Sequence, residues 1–449
     1  MWVLFIAFYI LVTIIVSVLV ALVVSSITCL GVILTSIFNV HFEIKGRTIH
    51  VYWMVALLGA LIVLFTSLTV SEWWNALTRS GGINPIKILV LFFSMSLISI
   101  FLDELGFFAH LANWTLARVN KSQISLFVTL YIFVSLLTMF TSNDIIILTL
   151  TPFILFFCKN AKISPIPYLV SEFIAANTWS MIFIIGNPTN IYLASSFNIT
   201  FIEYLNVMLV PTLLAGIVEF LILLLLFWKK LKDPILPTQV RLEKENIPLT
   251  ILGLSVLGIC TILLVISGYL ALPMYLISAI SLGVLILFSL IYFLLTRTKP
   301  RVIGKTLLRA PYEIIPFVIG MFTLVLALEK FGVSQNIANF FGSSGTSFVY
   351  GLTSAFSANL INNIPMSVLY SSICGFVNEN IRLRAVYSAI IGSNIGAFIS
   401  PLGALAGIMW LSILKKYDVK FSYLDFVKYG CIVGIPTLLV ALSSLLIFA

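Results

Sequence analysis

Phe183-Ile184-Ile185-Gly186-Asn187-Pro188-Thr189-Asn190-Ile191 interrupts an apolar run, 165–197, with a glycine, a proline and two asparagines near its middle. A helix that crosses about 30 Å of hydrocarbon needs about 20 apolar residues in sequence. Gly and Pro at mid-depth unwind such a helix. Each backbone N–H or C=O then left without a partner in hydrocarbon costs several kcal/mol. Irregular backbone persists there only where it is buried in protein or lines a cavity. The stretch therefore predicts a broken membrane helix with a binding site at the break.

The rest of the chain fits that reading. Of 449 residues, 61% are hydrophobic and 9% charged, too few polar groups to cover a water-facing surface of this size. Apolar spans read at about 52–70, 86–106, 123–158, 165–197, 203–228, 248–267, 271–296, 311–329, 346–377, 384–412 and 426–448. The block from Trp2 to Phe38 is long for one span. It reads as one tilted helix or as a helix with a re-entrant turn, and as a retained anchor. The expected class is an all-α polytopic membrane protein of about 11–12 spans in the cytoplasmic membrane. The net charge of +9 comes from basic residues in short loops, such as Lys45 and Arg47, and indicates orientation rather than nucleic acid. Lys229, Lys230, Lys232, Arg241 and Lys244 lie in one loop; Arg297, Lys299, Arg301, Lys305 and Arg309 lie in another. Two spans separate these loops, so both face one side, the cytoplasm by the positive-inside rule. The five cysteines have no zinc-type or redox spacing. Trp53, Trp73, Trp74 and Trp114 read as interface anchors, and His41, His50 and His110 receive no role.

The chain divides into an anchor and loop (1–51), a first repeat (52–228), a basic linker (229–247) and a second repeat (248–449). Asp103-Glu104-Leu105-Gly106-Phe107 ends a span in the first repeat, and Glu329-Lys330-Phe331-Gly332-Val333 ends one in the second. An Asn-rich break follows in each: Thr141-Ser142-Asn143-Asp144, then Asn359-Leu360-Ile361-Asn362-Asn363-Ile364-Pro365. A second break follows in each: Gly186-Asn187-Pro188-Thr189-Asn190, then Gly392-Ser393-Asn394-Ile395-Gly396 running on to Ser400-Pro401-Leu402-Gly403. The runs 123–158 and 346–377 read as two re-entrant helical hairpins, and 165–197 and 384–412 as two helices unwound at the centre. A lone Asn or Gly-Pro in a membrane helix is ordinarily a kink or packing feature. Four breaks paired across two halves are the pointer to the binding site of an inverted-repeat transporter.

Helix N-termini at such breaks suit an anion, and free carbonyls suit a cation. The candidate substrate or ion ligands are Ser142, Asn143, Asp144, Gly186, Asn187, Pro188, Thr189, Asn190, Asn362, Asn363, Pro365, Gly392, Ser393, Asn394 and Gly396. Among acidic residues inside spans, Asp144 and Glu172 are the coupling candidates, for H⁺ or Na⁺, with a sodium position near Asn143 and Asp144. Glu219 reads as facing a neighbouring helix. No cofactor is expected. An intramembrane enzyme would need a nucleophile–base pair or metal cluster at depth, and none is visible.

Leu102-Asp103-Glu104-Leu105-Gly106-Phe107-Phe108, Ser142-Asn143-Asp144 leading to Leu150-Thr151-Pro152, and Gly392-Ser393-Asn394 through Ser400-Pro401-Leu402-Gly403 with Trp410-Leu411 resemble the arsenical-pump membrane permeases of the ion transporter superfamily. The resemblance covers nearly the whole chain after about residue 50 and departs from the family's aspartates at Asn177 and Asn394. It implies an inverted-repeat fold, often dimeric, working by an elevator mechanism. The function it implies is secondary transport of a small inorganic anion or oxyanion, with arsenite or antimonite efflux favoured. The alternatives are a sodium/proton antiporter and a sodium-coupled dicarboxylate or divalent-anion carrier. No Gly-rich nucleotide motif appears, so any ATP hydrolysis would come from an ATPase partner.

Overall fold

The computed structural model describes residues 2–38, 40–44, 47–78, 84–111, 113, 122–235, 246–270 and 272–448. Lys45, Trp114, Arg241 and Lys244, which the sequence reading used, lie outside these residues. Nine helices among the described residues are long and apolar enough to cross a membrane. The apolar block at the start is one continuous helix, α1 (Trp2–Ile37). At 1.5 Å per residue its 36 residues reach about 54 Å, well beyond one hydrocarbon core. A short strand pair, His41–Ile44 with Arg47–His50, follows it. No alternating pattern in the sequence had announced that pair.

The first half continues with α2 (Tyr52–Ser67), α3 (Val70–Thr78) and α4 (Pro85–Glu104). The run 123–158 resolves into α5 (Gln123–Phe140) and α6 (Asn143–Ala161), joined at Thr141 and Ser142. The run 165–197 resolves into α7 (Ile166–Trp179) and α8 (Pro188–Ser196), with a 3₁₀ turn at Ile184–Gly186 between them. The half closes with α9 (Phe201–Phe227), whose start Thr200 and Glu203 fix with a reciprocal capping box.

The second half comprises α10 (Ile247–Val265), α11 (Met274–Leu295), α12 (Arg301–Arg309), α13 (Ile314–Lys330) and α14 (Val333–Phe341). Its helix pair is α15 (Thr346–Ile361) and α16 (Asn363–Gly375), joined at the single residue Asn362. Its broken helix is α17 (Glu379–Gly396) and α18 (Leu405–Lys416), and α19 (Tyr423–Phe448) closes it.

Packing repeats as the elements do. Helix α13 lies on α2 and α1 as α4 lies on α11 and α10. Helix α5 packs on α7 as α15 packs on α17, and the two closing helices, α9 and α19, pack on each other.

One break sits elsewhere than expected. Gly392, Ser393, Asn394 and Gly396 belong to the final turns of an unbroken helix, and the irregular segment is 397–404. The reason is close packing. A Cβ on Gly392 would lie 2.1 Å from Gly351 O, and one on Gly396 would lie 2.8 Å from Ala355 Cα. Gly392 and Gly396 share a helix face, as do Gly351 and Ala355 opposite, so two small-xxx-small faces bring α15 and α17 into backbone contact. Gly186 also serves close approach, since its Cβ would meet Ser180 O at 2.4 Å.

Gly392→Ala is expected to destabilise the detergent-purified protein at the upper end of the ~1–3 kcal/mol range for overpacking. Gly283, on α11, has no atom within 4 Å of its Cβ position. Gly283→Ala is therefore expected to melt at or above the wild-type temperature, because helix propensity favours Ala by up to ~1 kcal/mol. Equal melting temperatures for the two variants would contradict the packing argument.

Candidate functional site

The breaks are capped by their own asparagines. Asn187 precedes α8 and accepts from Thr189 N at 3.1 Å, while Pro188 takes the first helical position, where no N–H is needed. Asn362 precedes α16 and accepts from Ile364 N at 3.3 Å. Its φ of 71° with ψ of 154° is a conformation that ordinarily requires glycine, so the hairpin tip is strained. Asn363 N donates to Gly403 O at 3.1 Å and Asn362 Nδ2 to Leu402 O at 3.3 Å. The hairpin tip of α15 and α16 is thereby stitched to the irregular segment 397–404. Pro365 sits in the first turn of α16, buried beside this tip.

At the centre of the molecule Asn394 is completely enclosed and makes four side-chain bonds. Its Nδ2 donates to Ile390 O at 2.8 Å and to Asn190 Oδ1 at 2.7 Å. Its Oδ1 accepts from Asn187 Nδ2 at 2.8 Å, and Ser180 Oγ lies 3.0 Å away, sharing its single proton between Asn394 Oδ1 and the nearer Asn177 O at 2.7 Å. Thr189 Oγ1 and Ser393 Oγ are 2.8 Å apart, and Asn190 Nδ2 donates to Ser180 O at 2.8 Å. Polar residues from the two halves thus satisfy one another in a dry interior, where unpaired groups are costly.

The network reaches the first hairpin through Asn177. Asn177 Nδ2 donates to Phe173 O at 2.8 Å, and a carbonyl can only accept. That fixes the amide, so Asn177 Oδ1 must take the bond from Asn143 Nδ2, 3.0 Å away. Asn143 Oδ1 is left buried with no partner. The same logic holds in the other half. Asn359 Nδ2 donates to two carbonyls, Ala355 O and Gly396 O, each at 2.8 Å, and its Oδ1 is likewise buried and unpartnered. Two amide oxygens at the hairpins therefore wait for a donor or a cation.

Ser142 and Asp144 open onto a cavity of about 640 Å³ between the hairpin tip and helices α2, α4 and α13. Asp144 is partly buried there and makes no hydrogen bond or ion pair among the described residues. Arg309, the one basic chain among the cavity's lining residues besides His50, is already engaged: Asp103 Oδ2 lies 2.7 Å and Glu104 Oε1 2.6 Å from it. His50 is held by Glu313 at 3.1 Å. No group of three or more His, Cys, Asp or Glu capable of holding a metal exists among the described residues.

Most of the sequence-derived candidates converge: Asn143, Gly186, Asn187, Thr189, Asn190, Ser393 and Asn394 through the shared network, and Asn362 and Asn363 through the second tip. Glu172 does not join it. Fully buried, it receives the hydroxyl of Thr151 at 3.0–3.1 Å on both carboxylate oxygens. Ser180 was missed, and Asn177 had been noted only as a departure from a family pattern. A single serine after a tryptophan in an apolar stretch gives no signal. Only the i,i+3 spacing from Asn177 to Ser180, realised by a 2.7 Å bond from Ser180 Oγ to Asn177 O, connects them.

Residues 47–385 match the family model described as "Citrate transporter". The chain is 28% identical over 428 residues to an "Arsenical pump membrane protein" of Escherichia coli (strain K12), covering 87% of this chain and 92% of that protein. A protein of the same name from Yersinia enterocolitica is 26% identical over 433 residues, with 89% and 94% covered. Among solved structures, the Alcanivorax borkumensis YdaH transporter aligns with a TM-score of 0.54 at 15% identity, covering 96% of this chain and 98% of that one. That likeness concerns the fold.

Asn394→Leu keeps side-chain volume but orphans Asn187 Nδ2 and Asn190 Oδ1, while Ser180 keeps its bond to Asn177 O. It is expected to cost about 2 kcal/mol or more, at ~1–3 kcal/mol for each buried group left unpaired. Asn143→Ala breaks a single bond and is expected to cost about 1 kcal/mol. Thermal unfolding of the purified proteins distinguishes the two, and a larger loss for Asn143→Ala would refute the network's centre.

Proposed function

The chain belongs to the citrate-transporter family, a multi-pass membrane carrier of the anion-transporting kind, and on that premise we propose that it extrudes arsenite or antimonite. The transported form would be the neutral, hydroxylated acid. Its O–H groups could meet the oxygens of the first hairpin tip, where Ser142 and Asp144 line the cavity and Asn143 Oδ1 between them is buried without a partner, which is the observation that carries the reading. A multiply charged anion offers acceptors only, and the amide network supplies no free cation to meet it. Arg309, near the cavity, is already neutralised by two carboxylates.

Hairpins and broken helices would move together against α4 and α13 as an elevator. In support, the bonds that centre on Asn394 run among α8, α17 and the segment between α7 and α8, all on the side proposed to move. Where α4 meets the first tip, Phe92, Met95, Ser96 and Ser99 enclose only a small gap facing Thr141, Ser142, Ile185 and Pro188. Among the described residues the hydroxyls in this seam make no hydrogen bond across it, so few directional bonds would have to break.

A second reading, sodium/proton antiport, draws on the free carboxylate of Asp144 beside Asn143. Expression in cells lacking their own arsenite pump is expected to raise arsenite tolerance, and everted vesicles are expected to accumulate arsenite but not citrate. Asn143→Ala is expected to cut that uptake about tenfold, the equivalent of ~1.4 kcal/mol of lost binding. Vesicles that instead show sodium-dependent pH changes, abolished by Asp144→Asn, with no arsenite uptake, would decide for antiport.

A further inference from the structure

Glu219, midway along α9, is completely buried. Tyr131 Oη lies 2.8 Å from its Oε1, and Thr178 Oγ1 donates to its Oε2. Tyr131 Oη has two more partners. Trp179 Nε1 donates to it at 3.0 Å, and Gly216 O lies 2.6 Å away. Gly216 admits the indole, since a Cβ there would stand 2.4 Å from Trp179 Cζ2.

The protons can be counted. An indole N–H only donates and a carbonyl only accepts. Tyr131 has one hydroxyl proton, and the 2.6 Å contact with Gly216 O can be made by no other. The 2.8 Å contact between Tyr131 Oη and Glu219 Oε1 then takes its proton from Glu219. An ionised Glu219 would set lone pairs against lone pairs, or draw the Tyr131 proton away from Gly216.

We propose that Glu219 is held as a neutral carboxylic acid in this conformation and is the proton-binding group coupled to the substrate site. The link is one turn of backbone. Asn177 bonds Asn143 and Ser180 bonds Asn394, while Thr178 and Trp179 between them bond the Glu219 cluster. When Glu219 releases its proton, to water entering as the segment shifts, Tyr131 turns its O–H from Gly216 to the carboxylate. The seats of Trp179 and Thr178 change, and with them Asn177 and Ser180. Protonation and substrate occupancy are then reciprocally linked.

Among the described side chains, the elements packed on α9 bring few other titratable groups. Helix α5 brings Tyr131. Helix α7 brings Tyr168, bonded to Gln123, and Glu172, bonded to Thr151. Helix α10 brings Cys260, which faces Met95. Helix α19 brings Tyr423, Asp425, Lys428, Tyr429 and Cys431 near its first turns, with Tyr429 against Phe227 at the far end of α9. Glu203 and Tyr204 begin α9 itself. Of these titratable groups only Tyr131 is within hydrogen-bonding distance of Glu219.

The coupling half of the inference rests on the carrier reading; the protonation half does not. Glu219→Gln preserves shape, its amide donating to Tyr131 and accepting from Thr178. Infrared spectra of the full chain in lipid, without substrate, are expected to contain a protonated-carboxyl band that Glu219→Gln lacks and Tyr131→Phe shifts. Absence of a Glu219-dependent band, or of a shift in Tyr131→Phe where Glu219→Gln fails to accumulate, overturns the protonation. Arsenite binding to wild type is expected to weaken about tenfold between about pH 6 and about pH 8, and to be flat in Glu219→Gln. Binding with the same pH profile in both overturns the coupling. A protein that binds no arsenite yet keeps the band refutes the proposed cargo and leaves the neutral Glu219 standing.

Discussion

Backbone that is unwound away from water must find every hydrogen-bond partner within the protein. In this molecule that single requirement explains the polar centre. In the segment 180–187, Asn190 Nδ2 closes the carbonyls of Ser180 and Phe183, and Asn187 caps the helix that follows. Those side chains are themselves fixed by Asn394, from the other half of the chain. Neither half completes its own interior. The site lies between the repeats because the bonds that make a break tolerable run from one repeat to the other.

The same bonds decide what the site offers a ligand. Amide groups could present either end, but each key asparagine is oriented by a carbonyl that accepts only N–H. Phe173 O orients Asn177, Ile390 O orients Asn394, and Ala355 O with Gly396 O orients Asn359. Oxygen, not nitrogen, is therefore what is left buried and unpaired at Asn143 and Asn359. In the reading proposed above, oxygens without a free cation would disfavour an acceptor-only anion by leaving both sides unsatisfied, a larger penalty than a missing apolar contact.

The spans, the pairing of the halves and the positions of three breaks to within a turn were legible because hydropathy and helix-breaking residues act locally. The fourth break was displaced. Glycine has two uses in a membrane helix, unwinding and close approach, and the local sequence around Gly392 and Gly396 is the same for both. The facing pair Gly351 and Ala355, some 40 residues earlier in the chain, selects close approach. Ser180 and the environment of Glu219 were illegible for a related reason. Their chemistry comes from partners 40 to 214 residues away, such as Tyr131 for Glu219 and Asn394 for Ser180.

The outer framework shows how such a centre can be carried without loosening the whole. Each half sends a short helix to the end of a long helix in the other. Arg309 of α12 clamps Asp103 and Glu104 at the end of α4, and Glu72 of α3 meets Lys330 at the end of α13 at 2.9 Å. The charges are reversed between the two contacts although the geometry repeats. The contacts differ in strength. Glu72 and Lys330 are exposed, so their pair is worth little. Asp103 and Glu104 are only 8% and 10% exposed, and Arg309 bridges both with its two terminal nitrogens, the arrangement in which a charge-assisted pair holds position. Helix α4 is thus anchored firmly at its C-terminal end, while the hairpin tip of α5 and α6 faces its middle, at Phe92, Met95, Ser96 and Ser99. In the elevator proposed above, α4 would be the fixed wall past which this tip slides.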